Sequence, residues 1–202
     1  MNRTDLLKLK IDLPESGLGN WRIKRFTVTE EDAKLFNLRA AFSFSSSGRT
    51  ITPGTYTKLT RGGATIMSDT PSEIGDHLHF VYQAEGDILL NGLGLGWVLL
   101  ACSQKPEVKH ITVVEIDKDV IELVGKHYIE KLNGKLEIIC ADALKWKAPK
   151  GKKYTCVWND IWDDICGDNL ETMSTLHRKY GRRAGYVGSW CRYKCKRLKG
   201  RY

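Results

Sequence analysis

Three acidic residues close three successive apolar runs. Glu115 follows Val113-Val114, Asp142 follows Ile138-Ile139-Cys140 by one residue, and Asp160 follows Cys156-Val157-Trp158 by one residue. Upstream, Gly92-Leu93-Gly94-Leu95-Gly96 separates Ile88-Leu89-Leu90 from Trp97-Val98-Leu99-Leu100-Ala101. Such glycines let the backbone turn sharply and come close to a ligand. A carboxylate about 20 residues beyond such a loop is placed to accept hydrogen bonds from a ribose. Glu115, nineteen residues past Gly96, has that spacing. In open α/β sheets the ligand crevice lies outside the carboxyl ends of the strands, so the glycine loop and the three acids converge on one cleft. Acids at strand ends also serve as helix caps, and Asp142 taken alone would decide nothing. Three in succession after a glycine loop point to a site that binds a nucleotide-containing ligand.

The elements that carry these residues follow from pattern. Ile88–Leu90 is a strand, the segment from Trp97 a helix, and the run to Glu115 a second strand: one βαβ unit. Asp117 caps a helix with Val120, Ile121, Val124 and Tyr128 inward. Leu136–Cys140 and Tyr154–Trp158 are a third and a fourth strand, followed by a helix from about Leu170 to Tyr180, and Ala184–Ser189 is a candidate fifth strand. Ahead of the unit, Thr70-Pro71-Ser72-Glu73 has the spacing of a capping box with proline at the first helical position. Its helix carries Ile74, Leu78, Val81 and Tyr82 on one side.

Residues 1–68 form a small β-rich region ahead of a domain spanning 69–202. Trp21–Val28 alternates apolar and polar side chains as a half-buried strand does. Thr29, with Glu30-Glu31-Asp32 behind it, caps a short helix carrying Ala33, Phe36 and Leu38 to Ala41. Ser43–Gly48 is a serine-rich loop. Tyr56–Thr60 and Ala64–Met67 pair as a hairpin across Arg61-Gly62-Gly63.

Charge is divided unevenly. The chain of 202 residues has a net charge of +8, yet no acid follows Glu171, while ten basic residues do. The rest of the chain has 22 basic and 24 acidic residues. Tyr180, Tyr186, Trp190, Tyr193 and Tyr202 are interleaved with the basic stretch 178–201, a combination that suits phosphates and stacked bases. A solvated terminal helix, or aromatics packed on the sheet, is the more usual origin of such a charge run. The stretch Ile88–Cys102 is too short and too glycine-rich to cross a membrane, and no membrane partner is expected. The opening residues lack the apolar segment of a signal peptide. The six cysteines lack paired secretory spacing, and Cys140 and Cys156 read as buried thiols, so the expected setting is reducing and cytoplasmic. Cys166, His177, Cys191 and Cys195 lack the regular spacing of a zinc site, and no metal is expected.

These residues resemble the class I S-adenosylmethionine-dependent methyltransferase superfamily, and within it the spermidine synthase-like branch. Glu115-Ile116-Asp117 with Val120-Ile121 is similar to that branch's ribose-binding segment, and Ala141-Asp142-Ala143 to its adenine-contact segment. Tyr154–Asp163 resembles the strand that delivers its catalytic aspartate, at Asp160, and Ser68-Asp69 through Tyr82-Gln83 resembles the segment entering its active site. The resemblance covers about 64–164. It implies a Rossmann-like three-layer sandwich with a mostly parallel sheet, truncated toward its C-terminal end because little chain remains for the usual final hairpin. It also implies S-adenosylmethionine as cofactor, or S-adenosylhomocysteine as product, held by Asn91, Gly92, Gly94, Gly96, Glu115, Ile116, Asp142 and Ala143. Asp160 with Asn159 would position the acceptor or take its proton, and Asp69, Asp76, Tyr82 and Trp162 would line the acceptor side. His77 or His79 offers a second base, although such histidines are more often packing residues.

The departures bear on the reaction. Aminopropyltransferases carry an aspartate inside the glycine loop; Gly94 stands there, which favours methyl over aminopropyl transfer. Asn91 replaces the acid that many methyltransferases have before the glycines. Asn159-Asp160-Ile161-Trp162 has the asparagine and a final aromatic of an amide-methylating motif, but no prolines. A dinucleotide site favours Gly-x-Gly-x-x-Gly, whereas this loop is Gly-x-Gly-x-Gly. The expected protein is therefore a methyltransferase. Its acceptor is expected to be a small molecule rather than nucleic acid. An aminopropyltransferase, and a non-catalytic module binding S-adenosylmethionine or nucleic acid, are the alternatives. The oligomeric state stays open, a homodimer included.

Overall fold

The parallel sheet is built around a central strand whose middle, Ile88-Leu89-Leu90, is wholly apolar and buried. A computed structural model describes residues 2–42, 49–132 and 134–200; the serine-rich loop Ser43–Gly48 and Arg201 and Tyr202 of the basic stretch lie outside these. β5 (Gly86–Asn91) lies between β6 (Val108–Glu115) and β8 (Tyr154–Asn159), with β7 (Leu136–Cys140) and β9 (Ala184–Ser189) at the edges. All four pairings are parallel. A parallel strand covered on both faces has no solvent side, which is why Ile88-Leu89-Leu90 in the middle of β5 do not alternate with polar residues. Ile88 and Leu90 pack into the larger core with α3 (Pro71–Gln83), α4 (Trp97–Ser103) and the helical segment after β6. Leu89 points the opposite way, into a second core with Leu176 and Tyr180 of α7 (Asn169–Tyr180). This is a Rossmann-like three-layer α/β fold whose sheet stops at five parallel strands in the described residues. Counted along the chain, the sheet order is third, second, first, fourth, fifth. The direction of winding reverses between β5 and β8, and the crevice opens there.

The N-terminal region is an antiparallel sheet of four strands in sequence order: β1 (Ser16–Leu18), β2 (Trp21–Val28), β3 (Gly54–Arg61) and β4 (Ala64–Ser68). Trp21, Ile23 and Leu59 from this sheet, with Leu6 of α1 (Arg3–Lys8), share one continuous core with α3 and α4. The sheet is thereby held against the mouth of the crevice.

α2 (Glu30–Phe42) begins at Thr29, whose hydroxyl accepts the Asp32 N–H at 3.1 Å while Asp32 bonds back to the Thr29 N–H. Only Ala33 of this helix is buried; Phe36 and Leu38 are exposed.

Three local expectations are corrected. Thr70 does not cap α3 through its side chain. Glu73 instead accepts hydrogen bonds from the Ser68 N–H at 2.9 Å and its hydroxyl at 2.6 Å, tying the helix start to the end of β4. Tyr82 is exposed, because the inward face of α3 runs through Ile74, His77, Leu78 and Val81, with Phe80 also buried. Cys140 is exposed at the end of edge strand β7, while Cys156 in β8 is buried.

After β6, Asp117 caps α5 (Lys118–Val120) by accepting the Asp119 N–H at 2.9 Å. The helix continues through a π-helical turn, Ile121–Gly125, into α6 (Lys126–Lys131). The last element among the described residues is α8 (Arg192–Lys199), packed beside α7. No helix among the described residues is long and apolar enough to cross a membrane.

Candidate active site

A cavity of about 370 Å³ opens at the carboxyl ends of β5, β6 and β8. One wall is the glycine loop, another the β6 and β7 strand ends, a third the segment after β8, and the fourth the N-terminal sheet with α3. Of the residues expected to form the site, Gly92, Gly94, Glu115, Ile116, Asp142, Ala143, Asp160 and Trp162 line it. The loop approaches its neighbours too closely for side chains. Gly92 has φ +98°, and a Cβ there would meet the backbone carbonyl oxygen of Asp160. Gly94 has φ +53°, and its Cβ would fall 2.5 Å from Met67 Sδ. The hydrogen bond from Asp160 N–H to Asn91 O, 2.8 Å, locks the two strand ends together.

Glu115 braces the loop from below. Its Oε2 accepts the Leu93 N–H at 2.8 Å and its Oε1 accepts the Asp117 N–H at 2.9 Å. Burial raises its pKa, although these backbone donors favour the charged form. Asp117 in turn accepts the Trp21 indole N–H at 2.8 Å, which pins the N-terminal sheet to the cleft edge. Asp142 caps its own turn, accepting the Leu144 N–H at 2.8 Å, and still faces the cavity.

Asp160 is the most perturbed acid of the site. Burial, then the negative charges of Glu73, Asp76 and Glu115, push it up to about 8. Its Oδ2 stands 3.9 Å from His77 Nε2. Burial holds His77 down to about 4, so the ring is neutral near pH 7. The imidazole is stacked near Trp97 and meets Trp158 edge-on.

The other expected site residues lie elsewhere. Asn159 is wholly buried: its Oδ1 accepts from Asn91 Nδ2 at 2.7 Å, and its Nδ2 donates to Gly188 O at 2.8 Å. Asn91 and Asn159 thus tie neighbouring strands together beneath the cleft, and neither faces the cavity. Gly96 starts α4 behind the loop, with φ +75°. Asp69 accepts the Thr57 N–H at 2.7 Å and the Ile11 N–H at 3.3 Å, which makes it a buried brace of the N-terminal region. Asp76 pairs with Arg49 at 2.5 Å and Lys194 at 2.7 Å. Burial alone would raise Asp76, but these two cations hold it below the ordinary carboxylate value. Tyr82 is on the outer face of α3, away from the cleft, and His79 is likewise exposed.

Met67, Glu73, Arg61, Trp21 and Trp190 also line the cavity. Trp190 carried a usable signal: it directly follows β9, just as Asp160 directly follows β8. Glu73 lies on α3, within the segment expected to enter the site, while Met67, Arg61 and Trp21 depend on how the N-terminal sheet docks. Around the cavity stand six carboxylates, Glu73, Glu115, Asp117, Asp142, Asp160 and Asp163, against one guanidinium, Arg61. Arg61 is itself paired with Asp163.

No family model matches the sequence. Polyamine aminopropyltransferase 2 from Hyperthermus butylicus is 28% identical over 100 residues, 47% of this chain and 33% of that protein. The chain thus spans a third of the length of this curated relative. Among solved structures, spermidine synthase from Thermotoga maritima overlaps 61% of this chain and 45% of its own, at 18% identity and a TM-score of 0.42. An S-adenosylmethionine-dependent methyltransferase from Clostridium acetobutylicum overlaps 55% of this chain and 43% of its own, at 12% identity and a TM-score of 0.40. The fold of the chain stands on its own strand order and register rather than on these partial overlaps.

Proposed function

We propose that the chain is an S-adenosylmethionine-dependent methyltransferase whose acceptor is a small basic amine. One observation carries this: a single cavity joins the glycine loop to Asp160 and is lined by six carboxylates, one guanidinium and the indoles of Trp21, Trp162 and Trp190. Such a lining suits positive ligands, through carboxylates and through aromatic faces. The residues fit the cofactor. The glycines leave the loop bare, Glu115 presents a carboxylate at the ribose-binding spacing, and exposed Ile116 offers an apolar surface beside Asp142.

When bound, S-adenosylmethionine supplies a methyl group already activated by its positive sulfur. The protein's own task is to deliver the acceptor as a free amine, held in line. Asp160 holds a proton before the acceptor enters. An entering ammonium group drives that proton out to solvent, and the carboxylate so formed then takes a proton from the ammonium to free the amine, a role its raised pKa suits near neutral pH. Glu73 faces the same space and draws the cation in. Neutral His77 stands beside Asp160 and limits its orientation.

Aminopropyl transfer is the second reading, favoured by the curated relative. Against it stands Met67, whose thioether covers Gly94 where an aspartate would be needed. The test is calorimetry with S-adenosylmethionine, followed by labelled-methyl transfer to a panel of amines. Binding without transfer to any amine removes the acceptor assignment; no binding removes the whole reading.

A further inference from the structure

We propose that the outer face of α7 and α8 is a docking surface for single-stranded nucleic acid, separate from the acidic cavity. The basic stretch divides into two populations. Lys179 and Lys194 are consumed by the fold: Lys179 donates to Ala143 O at 2.7 Å, and Lys194 pairs with Asp76. Arg192, Lys196 and Lys199 instead follow one another at i, i+4 and i+7 along one side of α8, where Lys196 and Lys199 are exposed and Arg192 is half-buried beside the inward-facing Cys195. Arg178 lies on the neighbouring α7. Among the described residues none of these four is in an ion pair. Arg192 Nε is also buried with no hydrogen-bond partner.

α7 and α8 pack side by side, and Arg178 turns back along α7 to donate to Thr175 Oγ1 at 3.1 Å. His177 of α7 lies close enough to Arg192 and Lys196 for their charges to add to burial in lowering its pKa. The patch therefore joins two elements. No acid follows Glu171 in the chain, and the carboxylates that approach α8 come from earlier segments: Asp76 pairs with Lys194, and Gly167, next to Asp168, lies against Lys199.

A polyanion matches this surface, and two features favour nucleic acid over a lipid headgroup layer. Tyr193 is 61% exposed amid the cations, with Lys194 Nζ 5.8 Å from its ring centre, and gives a base a stacking platform. It is also the one large exposed apolar side chain on the described parts of α7 and α8. A membrane-surface helix needs an apolar face to insert, and this one lacks it. Tyr180 and Trp190 are buried, so the stacking potential rests on Tyr193.

The test is anisotropy of a labelled 20-nucleotide single-stranded RNA titrated with the full chain, with vesicles of anionic and neutral lipid as the second arm. Binding is expected at about 50 mM salt, with a log–log salt slope of about −3 for four phosphate contacts on a single strand. Arg192→Gln with Lys196→Gln should weaken it at least tenfold, and Arg178→Gln with Lys199→Gln should do the same if the first pair fails to fold. In the unaltered chain the His177 ring should titrate at higher pH once RNA is bound, because phosphates offset Arg192 and Lys196. No RNA binding at low salt, binding insensitive to both pairs, an unmoved His177 titration, or vesicle binding tighter than RNA binding would each overturn the proposal. None of these measurements involves cofactor or turnover, so they stand apart from the cavity's assignment.

Discussion

His77 Nε2 and Asp160 Oδ2 stand 3.9 Å apart, yet near neutral pH they are not a charged pair. Burial holds the imidazole down to about 4, while burial and three neighbouring carboxylates push the acid up to about 8. Between those values both groups are neutral, and Asp160 keeps its proton.

Stability should record this. The folded chain holds the Asp160 proton more tightly than the unfolded chain does. That contribution is complete at low pH and is lost as pH rises toward about 8. His77 acts with the opposite sign, because the folded ring refuses a proton from 6.5 down to about 4. The two slopes oppose each other across that window, and above it Asp160's remains. Glu73 and Glu115, also raised by burial, add to Asp160's sign. The melting temperature is expected to fall from about pH 6.5 to 8 and to fall less in Asp160→Asn. A wild-type curve flat across that interval would refute the assignment.

Ligand binding should move the same proton. An ammonium group entering the cavity favours ionised Asp160, so binding releases up to one proton near pH 7. Amine affinity should then rise by up to about tenfold per pH unit below about 8. Calorimetry in two buffers of different ionisation enthalpy counts the protons released. Asp160→Asn should flatten the pH dependence and collapse turnover while leaving S-adenosylmethionine affinity nearly intact. Undiminished turnover in that variant would remove Asp160 from the chemistry.

Glu115 is expected to serve loop and cofactor together. Its two oxygens accept the Leu93 and Asp117 N–H groups. Glu115→Ala leaves both donors unmatched, at a cost of about 1–3 kcal/mol in stability. S-adenosylmethionine affinity should fall by about 1.5–3 kcal/mol, as for a lost hydrogen bond to a charged group. Glu115→Gln keeps one acceptor and turns an amide N–H toward the other donor, so its losses should be intermediate. Urea titration reads stability and calorimetry reads affinity. Equal cofactor affinity in wild type and Glu115→Ala would overturn the ribose assignment.

The fold was legible where a pattern is local. Trp21–Val28 and Ala184–Ser189 are strands at the expected residues, and Asp117 does cap the helix after β6. The cleft was legible because strand ends converge by topology, whichever side chains they carry. Pairings across long sequence separations were not. Asp76 looked like an acceptor-side acid, but Lys194, 118 residues away, and Arg49 neutralise it. Asn159 has the polar side chain of a site residue, yet its place inside the sheet turns it toward Asn91 and Gly188. Met67 carried no signal of its own, since its importance comes from the docking of β4 over the loop.

That docking gives the last prediction. Gly94 lies at φ +53°, so an alanine there pays the left-handed penalty of about 1–2 kcal/mol and also presses on Met67 Sδ. Met67 in turn accepts the Leu95 N–H at 3.3 Å, so its displacement frees a loop donor as well. In a Met67→Ala background the steric part should vanish, leaving the backbone part. The double-mutant cycle should therefore show coupling of about 0.5–2 kcal/mol. Gly92→Ala allows no such rescue, because its Cβ meets the backbone carbonyl of Asp160 rather than a movable side chain. Its stability loss should exceed that of Gly94→Ala in both backgrounds. Urea unfolding of the four cycle members and of Gly92→Ala measures all of this. Additive losses at Gly94 and Met67 would mean that the thioether does not press on the loop, and Met67 would then be no obstacle to aminopropyl transfer.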